Sequence, residues 1–126
     1  MSKKIVKKIF VVDDDEMMSM ALEDYLTRNS MHEIHLFSTG EDCIRSLRLQ
    51  PDVIILDYNL NSIQKDAADG MKILEAIKQL NRNIVVILFS AQDAYSVALK
   101  SINKGATEYV IKDKDAFEKI ATICNS

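Results

Sequence analysis

Five short apolar segments alternate with amphipathic segments along the chain, and this alternation is the feature that most restricts the fold. The apolar segments are residues 8–12, 32–37, 52–57, 83–90 and 107–112. The segments that follow them have the pattern of helices and are residues 16–29, 40–49, 71–80, 93–105 and 115–124. Strands that are each followed by a helix favour right-handed crossovers and a parallel sheet covered on both faces. Because a barrel of this kind needs eight units, the sequence predicts an α/β, flavodoxin-like (βα)5 open sheet, doubly wound, with strand order 2-1-3-4-5.

Length and composition are those of a single soluble domain, and we expect residues 1–126 to form one domain. Hydrophobic residues make up 48% and charged residues 28% of the chain. The net charge of −3 argues against nucleic-acid binding by this domain, since such binding uses many cationic contacts to phosphates. No apolar run approaches the roughly 20 residues of a membrane span. Cys43 and Cys124 lack metal or redox spacing, which indicates reduced thiols in a cytoplasmic protein.

Several conspicuous side chains have ordinary structural interpretations. Met17, Met18 and Met20, in the first predicted helix, are interpreted as core and flank packing. His32 and His35 belong to a segment that alternates like a strand, and they are interpreted as residues on the strand surface. We therefore expect none of these five side chains to carry chemistry.

Four of the five predicted strands end in, or are directly followed by, side chains that can bind a cation or take part in a reaction. Asp13 and Asp14 follow the first strand, Asp57 ends the third, Ser90 ends the fourth and Lys112 ends the fifth. In doubly wound sheets, ligands bind beyond the carboxyl ends of the strands, at the switch point between strands 1 and 3. Three carboxylates that converge there repel one another unless a cation lies among them. Oxygen ligands suit Mg²⁺ or Mn²⁺, and the lack of histidine or cysteine at a strand end argues against zinc.

The same strand ends carry four short motifs: VVDDD, IILDYN, LFSAQD and EYVIKD, in this order. Each motif alone is weak, but all four at the ends of the appropriate strands are highly specific. Together they resemble the receiver domain of two-component response regulators, and the resemblance covers the whole chain. It implies a domain that accepts a phosphoryl group from a phosphohistidine, on a sensor histidine kinase or a histidine phosphotransfer protein, onto its own aspartate. By position that acceptor is Asp57. Such a domain catalyses its own phosphorylation and is not a turnover enzyme, although slow self-dephosphorylation is expected.

The resemblance also implies how the metal is held. Asp13 and Asp14 match the acidic pair that binds Mg²⁺, with Asp14 as the more direct ligand, and Asp57 completes the carboxylate set. The backbone carbonyl of Asn59 matches the family's main-chain ligand. Waters would complete the coordination, as is usual for this ion in proteins.

Three further positions match residues that the family uses as a switch. Ser90 corresponds to a hydroxyl that contacts the phosphoryl group, and Lys112 to a lysine that pairs with it. Tyr109 corresponds to an aromatic side chain that such domains bury in the active state. The implied readout surface is helix 4, strand 5 and helix 5. The same surface is the family's expected homodimer contact, and an output domain or downstream protein is the expected recipient of the signal.

Two features depart from the family pattern. The connection from Asp57 to Gly70 is about five residues longer than usual, with Asn61 where a proline is common, and extra loop residues cost little free energy. Asp113 follows Lys112 where the family has a proline after a cis peptide bond. A cis bond before another residue costs about 3 kcal/mol, and the sequence leaves open whether this bond is cis or trans.

Three other functions are compatible with parts of the pattern. The first is a docking module with the receiver fold that works without phosphorylation, which the long connection and the Lys112–Asp113 junction leave open. The second is a phosphate-ester hydrolase with Asp57 as nucleophile, but Asn59 occupies the position where a second acid/base aspartate would be needed. The third is a flavin-binding domain, which is disfavoured because no Ser/Thr/Gly-rich phosphate loop follows the first strand.

Overall fold

The computed structural model describes residues 6–28, 30–60, 69–92 and 94–126. Its strands are β1 (Lys8–Val12), β2 (Glu33–Phe37), β3 (Val53–Asp57), β4 (Val85–Ser90) and β5 (Glu108–Ile111). Its helices are α1 (Glu16–Thr27), α2 (Gly40–Arg45), α3 (Gly70–Leu80), α4 (Tyr95–Asn103) and α5 (Ala116–Cys124). The strands form one parallel sheet in the order β2-β1-β3-β4-β5, which confirms the predicted doubly wound, flavodoxin-like topology.

The central strands are covered on both faces, as their continuous apolar sequences indicate. All five residues of β3 are buried, and so are the last four of β1 and the last five of β4. Because successive side chains point to opposite faces of a sheet, each central strand supplies two cores. Phe10, Ile54 and Leu56 pack with α3 on one face, while Ile55 and Phe89 pack with α1 and α5 on the other.

The predicted second helix is shorter than its pattern suggested. α2 ends at Arg45, and a 3₁₀ turn, Leu47–Leu49, follows it. Gln50 then adopts a left-handed conformation, with φ of 58°. The residue before a proline is driven away from the right-handed helical region, so Pro51 prevents the chain at Gln50 from continuing as a helix.

The interpretation of the first helix as methionine-packed is wrong for two of the three methionines. Met17 is 81% and Met20 is 60% exposed, whereas Met18 is half-buried against the α1–α5 side core. The buried positions of α1 are Ser19, Leu22 and Leu26. The small polar Ser19 therefore continues the buried stripe, and the apolar Met17 and Met20 are left on the solvent side.

The interpretation of His32 as a surface residue is also wrong. His32 lies just before β2 and is 6% exposed. Its Nδ1 accepts the Lys7 backbone N–H at 3.0 Å, and its Nε2 lies 2.8 Å from Oδ1 of Asn125. His32 thus connects the start of the sheet to the end of α5. His35 remains partly exposed, as predicted, and its ring forms a T-shaped contact with Phe10, with the ring centroids 5.6 Å apart.

Both cysteines are buried and free, in agreement with the prediction of reduced thiols. Burial raises the pKa of the Cys43 thiol to about 12 and that of the Cys124 thiol to about 11. Among the helices of the described ranges, none has the length and apolar content needed to cross a bilayer.

Candidate functional site

Parallel pairing of β1 and β3 brings the acidic strand ends together. Val12 pairs with Leu56, so Asp13, immediately after β1, lies beside Asp57, the last residue of β3. Both aspartates are only 4% exposed, whereas Asp14 is half-buried. Carboxylate oxygens of Asp13, Asp14 and Asp57 lie within 4.8 Å of one another. The predicted convergence of the three carboxylates is therefore present in the fold.

The Lys112 ammonium reaches this acidic cluster from the carboxyl end of the edge strand β5. Lys112 follows β5, and its backbone N–H donates to the Ser90 carbonyl at 2.7 Å. Its side chain passes over the Phe89 ring, with Nζ 5.2 Å from the ring centroid. Nζ lies 2.9 Å from Oδ1 of Asp57 and 3.8 Å from Oδ2 of Asp13. The ammonium thus contacts both buried carboxylates at once.

The electrostatics of the cluster favour the binding of additional positive charge. Burial, and to a smaller extent the neighbouring Asp57, raises the pKa of Asp13 to about 7. The Asp15 backbone N–H, which donates to Oδ1 of Asp13 at 2.9 Å, and the Lys112 ammonium act in the opposite direction. Since burial has the largest effect, the ammonium and the backbone donor do not offset the cost of ionising Asp13 in this place.

The donor set fits a hard divalent cation. Within the described ranges, the cluster consists of three carboxylates, with no thiolate or imidazole. The Asn59 backbone is held beside them, because its N–H donates to Oδ1 of Asp57 at 3.3 Å. Asn59 itself is exposed, whereas Asp57 is buried.

Ser90 and Tyr109 meet at a residue that the sequence did not single out. The Ser90 hydroxyl, which is fully buried, accepts the Gln92 N–H at 2.9 Å. The Tyr109 hydroxyl donates to the Gln92 carbonyl at 2.6 Å. The two predicted switch side chains therefore hold the same peptide segment, in the connection between β4 and α4. Gln92 takes part through its backbone, so its side-chain identity carried no signal of this role.

The two departures from the family pattern have different outcomes. No peptide bond in the described ranges is cis, so the Lys112–Asp113 bond is trans, and Lys112 still reaches Asp57. The Asp113 carboxylate accepts the Asp115 N–H at 2.9 Å and lies 3.6 Å from Nζ of Lys119. Residues 61–68 of the long connection, which include Asn61, lie outside the described residues. The predicted influence of this connection on the site therefore stays a prediction.

Comparison with known proteins agrees with this geometry. The model of the response regulator receiver domain family matches residues 9–123. The DNA-binding transcriptional regulator NtrC of Proteus hauseri is 30% identical over 116 residues, which cover 91% of this chain and 23% of NtrC. The chemotaxis protein CheY of Bacillus subtilis is 26% identical over 106 residues, which cover 83% of this chain and 84% of CheY. The solved Mn²⁺-bound form of the response regulator Rcp1 superposes with a TM-score of 0.74 at 25% identity, covering 93% of this chain and 91% of Rcp1.

Several curated relatives are much longer than this chain, which spans 23% to 32% of their length. What they share with it is the segment that carries the sheet and the acidic cluster. The family match extends from Ile9, the second residue of β1, into α5, and so includes the carboxyl ends of all five strands. The chain therefore belongs to the response regulator receiver domain family.

Proposed function

We propose that this receiver domain is a phosphorelay switch that accepts a phosphoryl group on Asp57. The observation that carries the proposal is the buried Asp57 carboxylate, which lies within a three-carboxylate cluster and 2.9 Å from the Lys112 ammonium. Phosphoryl transfer depends chiefly on positioning and on stabilisation of charge, and both are supplied here by fixed groups at strand ends.

The proposed donor is a phosphohistidine on a sensor histidine kinase or a histidine phosphotransfer protein. An oxygen of Asp57 forms a bond to phosphorus while the phosphorus–nitrogen bond of the donor breaks. The imidazole leaves with the electron pair of that bond and takes up a proton from solvent. Lys112, already between Asp57 and Asp13, is placed to pair with an oxygen of the transferred group.

We propose Mg²⁺, or Mn²⁺, as the ion at the acidic cluster, held by Asp13, Asp14, Asp57 and the Asn59 carbonyl. The oxygen-only donor set supports this assignment, and so does the likeness to Rcp1, a response regulator solved with Mn²⁺. When bound, the cation neutralises negative charge on the phosphoryl oxygens. Its charge would also offset the burial and the Asp57 repulsion that together raise the pKa of Asp13.

The proposed switch passes through Gln92. In the unphosphorylated protein the Ser90 hydroxyl accepts a hydrogen bond from the Gln92 N–H. A Ser90 hydroxyl that turns to donate to the phosphoryl group would give up this hydrogen bond with Gln92. The Tyr109 hydroxyl, bound to the carbonyl of the same residue, then loses its partner or moves with it. Phosphorylation would thereby alter the surface of α4, β5 and α5, which we propose as the readout surface. Differential contacts of this kind, made in only one state, are what a switch requires.

The recipient of the signal and the partner that delivers phosphate are proposed from exposed surfaces. α4 exposes Tyr95, Leu99 and Ile102, which suits a homodimer or a downstream partner. Output through a further domain is supported by NtrC, a DNA-binding regulator of which the matched segment makes up 23%, and output through a separate downstream protein is the alternative. For the kinase we propose α1, where the exposed Met20 lines the same surface cavity as Asp13. We place these events in the cytoplasm.

The test is the intact mass of the protein after incubation with a small phosphodonor and Mg²⁺, next to the Asp57→Asn variant. We expect one added phosphoryl group in the wild type, and none in the variant or without a divalent cation. A wild type that binds Mg²⁺ but gains no phosphoryl group would contradict the proposal and favour the phosphorylation-independent docking module.

A further inference from the structure

Gly70, the first residue of α3, lies directly against the backbone of the proposed acceptor. It is buried, and a Cβ added to it would lie 2.3 Å from the Asp57 carbonyl oxygen. The same Cβ would lie 2.8 Å from Cα and 2.9 Å from the carbonyl oxygen of Tyr58. All three distances are shorter than the contacts that real Cβ atoms make, and all three are to backbone atoms. A larger residue at this position would therefore have to displace the main chain.

Hydrogen bonds tie the same segments together. The Gly70 N–H donates to the Tyr58 carbonyl at 3.1 Å, and the Tyr58 N–H donates to the Phe89 carbonyl of β4 at 2.9 Å. The next residue, Asn59, donates its N–H to the Asp57 carboxylate at 3.3 Å. The peptide segment 57–59 is thus held between β4 on one side and the start of α3 on the other.

α3 is fixed in the core and cannot simply move away from a larger residue at position 70. Its buried residues Ile73, Leu74 and Ile77 pack in the core. Asp69 caps its first turn, where its carboxylate accepts the Lys72 N–H at 2.9 Å. Segment 57–59 lies at the end of β3, where the strand leaves the sheet, and its backbone atoms are the ones that the added Cβ would meet, so displacement is expected there.

We infer that Gly70 is a positioning residue of the acceptor site. It touches neither the phosphoryl group nor the cation, but sets the main-chain path that aims the Asp57 carboxylate and places Asn59 beside the cluster. The contact also closes the base of the long connection between residues 58 and 70. The inference rests on the proposed function, because it assumes that Asp57 and its neighbours bind a divalent cation.

The first test compares the Mg²⁺ affinity of the wild type and the Gly70→Ala variant by calorimetry with Mg²⁺ alone. We expect the affinity of the variant to fall by about 10- to 100-fold, as for loss of groups that orient metal ligands. Its rate of phosphorylation by a small phosphodonor should fall in parallel. A Gly70→Ala variant that binds Mg²⁺ as the wild type does would overturn the inference.

Gly40→Ala is the matched control, because it presses on α3 without touching the acceptor strand. A Cβ at Gly40 would meet only side-chain atoms of Ile73 among its nearest neighbours. It should lower the stability of the fold, yet leave the Mg²⁺ affinity within about twofold of wild type, as expected for a distant site. If both variants lost affinity equally, a general loosening of α3 would explain the data and the inference would be wrong.

A second measurement needs no variant and covers the case in which Gly70→Ala does not fold. The chain has 3 glycines, so a protein labelled with ¹⁵N-glycine has few amide signals to assign. Titration with Mg²⁺ should shift the Gly70 signal and leave those of Gly40 and Gly105 in place. An unmoved Gly70 signal at saturating Mg²⁺ would overturn the inference but not the proposed function. A wild type that neither binds Mg²⁺ nor accepts a phosphoryl group would instead overturn the proposed function and, with it, the inference.

Discussion

Asp13 shows how burial and a like charge together change the chemistry of a single side chain. Its pKa is raised to about 7 from an ordinary value of 3.8, first by burial and then by Asp57. Because the pKa of the folded state lies above that of the unfolded state, the contribution of Asp13 to stability is full at low pH. It is lost as the pH rises through about 7. At neutral and alkaline pH this carboxylate therefore destabilises the metal-free fold.

Asp13→Asn should accordingly stabilise the metal-free protein at pH 8, by about 1–3 kcal/mol. The amide has nearly the same shape, and its oxygen can still accept the Asp15 N–H. Urea unfolding at pH 5 and pH 8 measures the effect, which should be larger at pH 8. Equal stabilisation at both values would show that titration of Asp13 is not the cause. Mg²⁺ should stabilise the wild type and have little effect on the variant.

The same pKa predicts how Mg²⁺ affinity depends on pH. The cation and the proton compete for Asp13, so affinity should rise as the pH increases towards about 7 and then level off. Calorimetric titrations between pH 5.5 and 8.5 would show this profile. In Asp13→Asn the rise should be much reduced. A wild-type affinity that does not change across this range would contradict the assignment of Asp13 to the cation site.

Lys112 competes with the cation for the same carboxylates, since its Nζ contacts both Asp57 and Asp13. Lys112→Met should therefore bind Mg²⁺ more tightly than wild type, by about threefold to tenfold, the size of a partly screened charge interaction. The phosphorylated state should be weakened, because the phosphoryl oxygens lose a cationic partner. Lys114→Met is a control on the same connection, since Lys114 is exposed. Weaker Mg²⁺ binding in Lys112→Met would show that the ammonium organises the carboxylates and does not compete for them.

At the scale of elements, two side chains hold the backbone of Gln92 in the connection between β4 and α4. Ser90→Ala should free the Gln92 N–H and speed its hydrogen exchange by about fivefold to tenfold, the equivalent of one hydrogen bond of roughly 1 kcal/mol. Tyr109→Phe should leave that N–H protected, because its hydroxyl contacts the Gln92 carbonyl. Exchange measured by NMR separates the two. Faster exchange in both variants would show that the connection opens as a unit.

The strands and their order could be predicted because local sequence and tertiary environment agree there. β3 and β4 are continuous apolar runs, and such runs suit strands buried on both faces. The helical faces were harder to predict. The pattern of α1 favoured Met17 and Met20 as buried, but the three-dimensional packing buries Ser19, and hydrophobicity alone does not report that choice.

The candidate site divides in the same way. The carboxylates and Lys112 could be predicted to converge, because parallel strands bring their carboxyl ends to one edge of the sheet. The contributions of Gln92 and Gly70 could not, since one acts through its backbone and the other through the absence of a side chain. His32 was misread because its burial depends on Asn125, which is distant in sequence.

At the scale of the whole molecule, the fold separates the chemical site from the surface proposed to report its state. The acidic cluster lies at the carboxyl ends of β1 and β3, whereas α4 exposes Tyr95, Leu99 and Ile102. These three residues recur at intervals of four and three, so they form one stripe on the helix. Burial of such a stripe against a second copy would stabilise a dimer by removing apolar surface from water.

If phosphorylation makes this stripe available for self-association, the phosphorylated protein should be a dimer and the unphosphorylated protein a monomer. Leu99→Glu should keep the phosphorylated form monomeric while phosphoryl uptake on Asp57 by the monomer remains within about twofold of wild type, because Leu99 lies on the exposed stripe of α4 and is not part of the acidic cluster. Met17→Glu, which adds the same charge to the exposed face of α1, is the matched control and should still dimerise. Light scattering coupled to gel filtration gives the masses. A phosphorylated wild type that stays monomeric at high concentration would rule out the dimer and leave a downstream protein as the partner for this stripe.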